Sequence, residues 1–323
     1  MSEIKSLNSF RNNTVEWLRA NVNLMILFAL IIIGCLVSEH FLTVRNWQNI
    51  LRQIAVNGIM AAGVTGVFLA GGFDLSIGST LALSGCLSMG LLQAGVAIPI
   101  VVLASLTSGI VIGALNGILL RVTRGDLSET FLITLGTSLI ASSAALMYTG
   151  GHSIYLERGI PFAFFGQGMI WGVPFSIIML ITIMIILQFI FAKTQYGRRI
   201  YLTGGNKQAA YLSGINAARI KISVFMTSGF CAALAGIVSS SRTTTATYLM
   251  GVGTDFDAVI AVLIGGNMLG GGKGGMVNTF IGVMIYGLIT NVLNLATVPP
   301  VIHVTLRGTM LLLAIVLNGL KRN

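Results

Sequence analysis

Residues 171–192 read WGVPFSIIMLITIMIILQFIFA, a stretch without a single Asp, Glu, Lys or Arg. An α-helix rises 1.5 Å per residue, so about 20 apolar residues cross a hydrocarbon core roughly 30 Å thick. The whole chain has the same character, since 55% of its 323 residues are hydrophobic and only 9% are charged. Soluble domains carry about 25% charged residues. The sequence therefore predicts a protein whose surface is solvated largely by lipid.

Apolar segments of similar length lie on both sides of this stretch. Together with it, they are residues 24–44, 51–70, 76–94, 98–120, 129–148, 171–192, 220–240, 256–270, 276–296 and 304–320. We predict an all-α membrane protein with about ten transmembrane helices in a single polytopic domain, 24–320. Residues 1–23 are polar and no small-residue cleavage site closes the first apolar segment, so we expect an uncleaved amino-terminal segment there and a short tail at 321–323.

The distribution of basic residues predicts the orientation. With a cytoplasmic amino terminus, 14 of the 19 Lys and Arg residues fall on the inner side and five on the outer side. The positive-inside rule then favours both termini on the cytoplasmic side of the membrane. We expect that membrane to be a bacterial inner membrane. The longest inner loop is 193–219. The net charge of +10 is explained by such loops, because no basic run with interleaved aromatic residues indicates nucleic-acid binding.

Several classes of active site are disfavoured. A phosphate-binding loop reads G-x-x-x-x-G-K-[ST], but around Lys273 the first glycine is Asn267 and the hydroxyl residue is Gly274. We therefore expect no ATP site, no cofactor and no enzymatic centre on this chain. The three cysteines lie in apolar segments without metal-ligand spacing. Carboxylates inside the predicted spans are sparse, which argues against an ion relay, although one carboxylate can suffice.

The first motif is GGFDLSIGS, residues 71–79. Gly71 and Gly72 interrupt the helical pattern, and Asp74 or Ser76 can cap the next helix by accepting its free amides. Irregular backbone at membrane depth is tolerated only where protein or a wet cavity surrounds it. Two interpretations remain open for Asp74, a turn with a helix cap or a place in a translocation path.

The second motif is the inner loop GRRIYLTGGNKQAAYLSGIN, residues 197–216. Residues 206–213 predict a short helix with Asn206 as N-cap and Gly214 as terminator. We expect two short elements divided by Gly204–Gly205, which together form a compact knob on the cytoplasmic face. An ordinary surface loop is the alternative.

The third motif, GTDFDAVIAVLIGG at 253–266, is followed by a glycine-rich turn at 270–275. It predicts a short, closely packed helix that ends in a tight turn. Across the first and third motifs, the glycines assigned to structural turns are Gly71, Gly72, Gly78, Gly265, Gly266, Gly271, Gly272 and Gly274.

In this order, the three motifs resemble those of the permease subunits of ribose-type (monosaccharide) ABC importers, from about residue 45 to the end. The resemblance implies a half-transporter that pairs with a second permease subunit, identical or homologous. It also implies cytoplasmic ATPase subunits, which would hold ATP and Mg²⁺, and a periplasmic binding protein that delivers the sugar. The inner loop would then couple to the ATPase through Gly197, Arg198, Gly204, Gly205, Asn206, Ala209, Ala210, Ser213, Gly214 and Ile215.

A pore for a sugar delivered in this way needs only a weakly polar path. The candidates for it are Asn57, Asp74, Ser76, Asn116 and Thr134. These side chains can equally bond neighbouring helices, at about 0.6 kcal/mol each. Two other functions remain open. The same pore can serve a non-sugar solute such as a signalling molecule or nucleoside, or the chain can be an ion-coupled secondary carrier.

Overall fold

A computed structural model of the chain describes residues 22–157 and 159–320, and the chain is mostly helical over them. The α-helices are α1 (Val22–Val37), α2 (Val44–Leu69), α3 (Ile77–Gln93), α4 (Ile98–Thr123), α5 (Leu127–Thr149), α6 (Phe164–Gln167), α7 (Phe175–Lys193), α8 (Gln195–Gly205), α9 (Lys207–Leu212), α10 (Ala217–Thr243), α11 (Thr254–Ile264), α12 (Met276–Leu295) and α13 (Pro300–Leu320). Apart from Val22 and Asn23, the predicted amino-terminal segment 1–23 lies outside the described residues, as does the tail 321–323.

Each predicted apolar segment overlaps one of these helices, but several boundaries differ from the prediction. The first span was predicted to run to residue 44, whereas α1 ends at Val37 and α2 already begins at Val44. The Thr43 hydroxyl caps α2 by accepting a hydrogen bond from the Asn46 amide at 3.3 Å. The first turns of α2 are polar, so hydropathy alone places its start too late. Likewise, α7 begins at Phe175 rather than at residue 171.

Six helices, α2, α4, α5, α7, α10 and α12, are long and apolar enough to cross a membrane. The apolar helices α1 and α3 are shorter, and α13 is apolar over Pro300–Val316. At 11 residues, α11 is about 17 Å long, little more than half of a hydrocarbon core of about 30 Å. The helical membrane architecture is confirmed. Ten complete crossings and the orientation of the termini stay predictions.

The helix α2 forms the centre of the molecule. Every residue from Ile54 to Ala70 is buried except Asn57, which is partly accessible. By contrast, α4, α5 and α7 present large apolar side chains outward, including Leu103, Leu139 and Phe189, each more than 60% exposed. A buried inner helix surrounded by helices with apolar outer faces is the arrangement that lipid as solvent favours.

A close helix contact joins α4 to α10 through glycines. Gly109, Gly113 and Gly117 recur every fourth residue, so they lie on one face of α4. A Cβ added to Gly113 would lie 2.1 Å from the carbonyl oxygen of Phe225, and one added to Gly229 would lie 2.0 Å from that of Gly109. Small residues at this spacing allow the two backbones to touch, as in other membrane helix pairs.

Strands are short in the described part of the chain. The connection 149–170 lies between the predicted spans 129–148 and 171–192. It contains β1 (Ile154–Tyr155), a 3₁₀ turn (Pro161–Ala163) and α6. Strand β1 pairs antiparallel with β4 (Thr245–Ala246), which follows α10. A hairpin formed by β2 (Met169–Ile170) and β3 (Val173–Pro174) leads into α7. The pairing of β1 with β4 ties this connection to the end of α10.

Candidate transport site and cytoplasmic loop

Asp74 lies in the non-helical segment between α2 and α3 and is 1% exposed. Its Oδ1 accepts hydrogen bonds from the Ser76 amide at 2.9 Å and from the Ser76 hydroxyl at 2.7 Å. Its Oδ2 accepts one from the Ser228 hydroxyl of α10, also at 2.7 Å. Burying a carboxylate is expensive unless such donors replace water. Asp74 therefore stabilises the turn that starts α3 and fixes that turn to α10.

The network around Asp74 continues into α4 and α5. The Asn116 side-chain amide donates to the Ser76 hydroxyl at 2.9 Å, and the Thr137 hydroxyl donates to the Asn116 side-chain oxygen, Oδ1, at 2.6 Å. The Thr134 hydroxyl accepts from the Leu75 amide at 3.2 Å. Three helices, α4, α5 and α10, thus join the segment between α2 and α3 in one buried set of hydrogen bonds, which satisfies the backbone that the glycine break leaves outside a helix.

The depth of this network follows from its contact with α10. Ser228 lies 11 residues after the start of that 27-residue helix, so Asp74 lies nearer its middle than either of its ends. The loop before α11 returns to the same level, because a Cβ added to Gly78 would be 2.6 Å from the Gly251 carbonyl oxygen. The segment around the start of α3 and the loop before α11 therefore meet in the interior of the bundle.

The structure brings together four of the five predicted path residues. Asp74, Ser76, Asn116 and Thr134 share the buried network, each at most 2% exposed. This placement supports the alternative in which they bond neighbouring helices, and contact of any of them with a solute stays a prediction. Asn57 lies apart from them on α2. The bonding partner Ser228 was not singled out from the sequence, because nothing in an apolar helix marks one serine among several.

The predicted cytoplasmic knob is a pair of helices. The Thr194 hydroxyl accepts from the Gly197 amide at 3.1 Å and caps α8. The Asn206 carboxamide accepts from the Ala209 amide at 2.9 Å and caps α9, as predicted. Gly214 has φ +70° and ends the pair, also as predicted. The division differs from the prediction, since Gly204 and Gly205 form the last turn of α8 and the break falls at Asn206.

The solvent-exposed face of α8 and α9 carries large apolar side chains. Tyr211 is 80% exposed and Leu212 is 78% exposed. Among the predicted coupling residues, Gly197 and Ala210 are buried, Gly204, Ala209 and Ile215 are half-buried, and Arg198, Gly205, Asn206, Ser213 and Gly214 are exposed. Leu202 of α8 is also 42% exposed. Large apolar side chains exposed on a loop form the type of patch that a protein partner covers.

Glycines join the buried side of α8 to the first sequence motif and to the turn that follows the third. A Cβ on Gly204 would lie 2.1 Å from the Leu69 carbonyl oxygen, and one on Gly271 would lie 2.7 Å from the Gly204 Cα. The Gly272 amide donates to the Leu69 carbonyl at 3.0 Å. The end of α2, the end of α8 and the turn after α11 therefore touch backbone to backbone. We refer to these residues (Leu69–Gly71, Gly204–Gly205 and Gly271–Gly272) as the glycine junction.

Glycines of the third motif and of the segment after it lie in the turn that follows α11. Gly266 has φ +100° and Gly274 has φ +128°, in the region that favours glycine. A Cβ on Gly265 would lie 2.0 Å from the Asn278 carbonyl oxygen of α12. The Asn267 carboxamide oxygen accepts from the Gly275 amide at 2.7 Å. The turn is thus held by its own backbone and by α12.

A surface ion pair links this helix pair to the residue before α5. The Lys207 ammonium donates to the Asp126 carboxylate, and this hydrogen bond lowers the pKa of Asp126. Both side chains are at least 60% exposed, so the pair contributes little to stability. No group of three or more His, Cys, Asp or Glu side chains suited to a metal occurs within residues 22–157 and 159–320.

Comparison with known proteins assigns the family. Residues 46–315 match the model of a family described as "branched-chain amino acid transport system / permease component". The chain belongs to this permease family. The ribose import permease of Bacillus subtilis (strain 168) is 38% identical over 91% of each chain. The ribose import permease of Escherichia coli (strain K12) is 36% identical over 98% of this chain and 99% of its own.

A further relative of the permease is the D-allose transport system permease of Escherichia coli (strain K12). It is 34% identical over 96% of this chain and 94% of its own. No solved structure matches the permease. The family, the apolar helices and their lipid-facing surface together establish a multi-pass protein of the inner membrane.

Proposed function

We propose that the permease is the membrane-spanning subunit of an ATP-driven importer for a monosaccharide. A periplasmic binding protein delivers the sugar, and a second permease subunit, a copy of this chain or a homologue, completes the pore. Separate cytoplasmic ATPase subunits bind ATP with Mg²⁺ and carry out the hydrolysis. Similarity to permeases for ribose and allose supports the substrate class.

The observation that carries this proposal is the position of α8 and α9. Tyr211 and Leu212 are exposed to solvent on this pair. Gly204, on the side that packs against the bundle, contacts the end of α2 and the turn after α11. A partner that moves this pair therefore displaces the end of α2 and the turn after α11. Because ATP binds one state of the ATPases more tightly, its binding shifts the equilibrium between inward and outward conformations.

The proposed orientation places both termini in the cytoplasm, with ten membrane-inserted helices. The excess of basic residues on the inner side supports it. Of these helices, α11 extends only part of the way across. The loop before it continues the crossing, since a Cβ on Gly251 would lie 1.8 Å from the Gly78 carbonyl oxygen at the start of α3.

An ion-coupled carrier is the less favoured function. Its natural coupling group would be Asp74, yet all three hydrogen bonds of that carboxylate go to groups that shape the turn. Uptake that continues in the presence of an uncoupler, with cellular ATP maintained, is the expected result. Uptake that collapses under those conditions would favour the carrier. A non-sugar solute is the other alternative, and a competition assay with unlabelled ribose, allose and a nucleoside distinguishes it.

The partner is tested by co-expression with the ATPase encoded beside the permease and purification through a tag on the permease. We expect the ATPase to co-purify with the wild type and to be lost from Leu212→Asp, because a carboxylate on α9 disrupts an apolar contact. Trp171→Asp is the matched control, since Trp171 is 99% exposed on the outer hairpin. Its φ of +50° is also one that Asp tolerates.

Two results would contradict the proposal. One is that no ATPase co-purifies with the wild type in mild detergent. The other is that Leu212→Asp retains the ATPase as well as Trp171→Asp does.

A further inference from the structure

Asn57 occupies an unusual position on α2. It lies 13 residues after the start and 12 before the end of that helix, and it alone is accessible between Ile54 and Ala70. An accessible residue at the middle of a membrane helix normally faces lipid and is apolar. A carboxamide exposed to hydrocarbon loses its hydrogen bonds to water at a cost of several kcal/mol. Asn57 is therefore placed to face water or a polar solute.

The same face of α2 carries further polar groups toward its outer end. Asn49 and Gln53 precede Asn57 at intervals of four residues, so the three side chains form one stripe along the helix. A different face of α2, about 100° round the helix from Asn57, packs against α7 and α12, where Gly58 approaches Leu180 and Val283. The polar stripe is thus distinct from the face that builds the core.

The stripe leads from a polar cavity of about 470 Å³ lined by Asn49, Arg52, Gln53, Gln167 and Arg242. Three carboxamides and two guanidinium groups line it, with no carboxylate and no aromatic ring among the described lining residues. The Arg52 Nε is buried, and no hydrogen-bond partner for it lies within the described residues. The Gln167 side chain is held in place, since its carboxamide nitrogen donates to the Arg242 backbone carbonyl at 3.0 Å.

This lining determines which solute the cavity suits. Carboxamides both donate and accept hydrogen bonds, and each guanidinium presents a planar set of donors, which together match a ring of hydroxyl groups. Two positive charges and no carboxylate disfavour a cation. The volume lies within the range of about 300–1,000 Å³ typical of small-molecule sites. Without an apolar or aromatic platform the site binds weakly, as a transit position requires.

We propose that this cavity is an outer subsite for a monosaccharide-sized polyhydroxylated solute, and that Asn57 is the next polar contact along its path. The inference rests on the proposed sugar import and adds the place where the sugar enters the permease. Asn49, Arg52, Gln53 and Gln167 contact the hydroxyl groups, while Arg242 completes the rim.

Cysteine labelling of the assembled transporter tests this directly. Gln53→Cys and Asn57→Cys are made in a Cys35→Ala background, since Cys86 and Cys231 are buried. A charged, membrane-impermeant methanethiosulfonate reagent modifies thiols only where water reaches them. We expect both positions to be modified. Leu103→Cys, at a position 68% exposed on α4, is the control and should stay unmodified because it faces lipid.

Protection by sugar gives the second readout. D-ribose, D-allose and L-arabinose are first assayed for uptake by the same preparation, and a transported sugar is then added during labelling. When the sugar concentration is ten times its apparent Kd for the cavity, the sugar should slow the modification of Gln53→Cys about tenfold, because about nine in ten cavities are then occupied.

Failure of the subsite differs from failure of the proposed function. If a sugar is transported but leaves the labelling rate unchanged, or if inorganic phosphate protects and the sugar does not, the subsite is wrong while import stands. If Asn57→Cys is unmodified with and without ATP, the path is wrong. If none of the three sugars is transported, the monosaccharide function fails and the subsite fails with it.

Discussion

At the scale of single residues, the molecule depends on polar groups whose partners are distant in sequence. Asp74 bonds Ser228 across 154 positions, and the Arg307 guanidinium bonds the buried Asp257 carboxylate at 2.5 and 3.1 Å. Removing one member of such a set leaves the others buried and unsatisfied, which costs more than the bond itself contributed. Single substitutions can therefore separate a structural role from a role in transport.

Asp74→Ala is expected to destabilise the permease, because two hydroxyls and one amide lose their acceptor. We expect a loss of about 3 kcal/mol in the free energy of unfolding, seen as a lower Tm in detergent. Asp74→Asn retains one carbonyl acceptor and should lose less. A variant Asp74→Ala that keeps the wild-type Tm but transports no solute would instead place the carboxylate in the translocation path.

At the scale of elements, glycines decide which helices move together. The glycine junction joins α2, α8 and the turn after α11 through backbone contacts, whereas Gly109, Gly113 and Gly229 join α4 to α10. Backbone contacts of this kind leave no flexible side chain to absorb a displacement. The junction is thus suited to pass movement of the cytoplasmic helix pair into the bundle.

The neighbouring pair Gly204 and Gly205 tests this role. A Cβ at Gly204 would lie 2.1 Å from the Leu69 carbonyl oxygen, whereas one at Gly205 would first meet the Gly272 Cα at 3.4 Å, an ordinary contact. We expect Gly204→Ala to lower uptake at least about tenfold, a barrier change of roughly 1.4 kcal/mol. ATPase co-purification should be retained, because α9 is unchanged. Gly205→Ala should behave as the wild type, and equal effects in both variants would contradict a specific junction.

At the scale of the whole molecule, the charge distribution and the two faces of the bundle predict its orientation. The hairpin β2–β3 with Trp171 lies at the end of the molecule opposite to α9 with Leu212, since α7 and α8 separate them along the chain. In intact cells, an impermeant thiol reagent should modify Trp171→Cys, while Leu212→Cys should react only after permeabilisation. Both variants are made in the Cys35→Ala background. The reverse pattern would invert the topology.

Much of the fold could be predicted from the sequence, because lipid imposes a simple rule. Long apolar segments must be helices, so the positions of α4, α5 and α10 follow from hydropathy. Capping chemistry is equally local, and Asn206 and Gly214 bound α9 as expected. Hydropathy failed where a helix begins with polar residues, as α2 does, and where a predicted span is a short helix preceded by a folded-back loop, as α11 is.

The sequence by itself determined the class of protein, the approximate position of each helix and the resemblance to a permease, since all of these depend on local composition and on motifs. Only the tertiary structure decided which residues meet. It placed Asp74 against Ser228, brought three glycine segments into one junction, and left Asn57 accessible on a buried helix. Such contacts depend on helix rotation and on the packing of distant segments, which a periodic apolar pattern leaves undefined when nearly every face is hydrophobic.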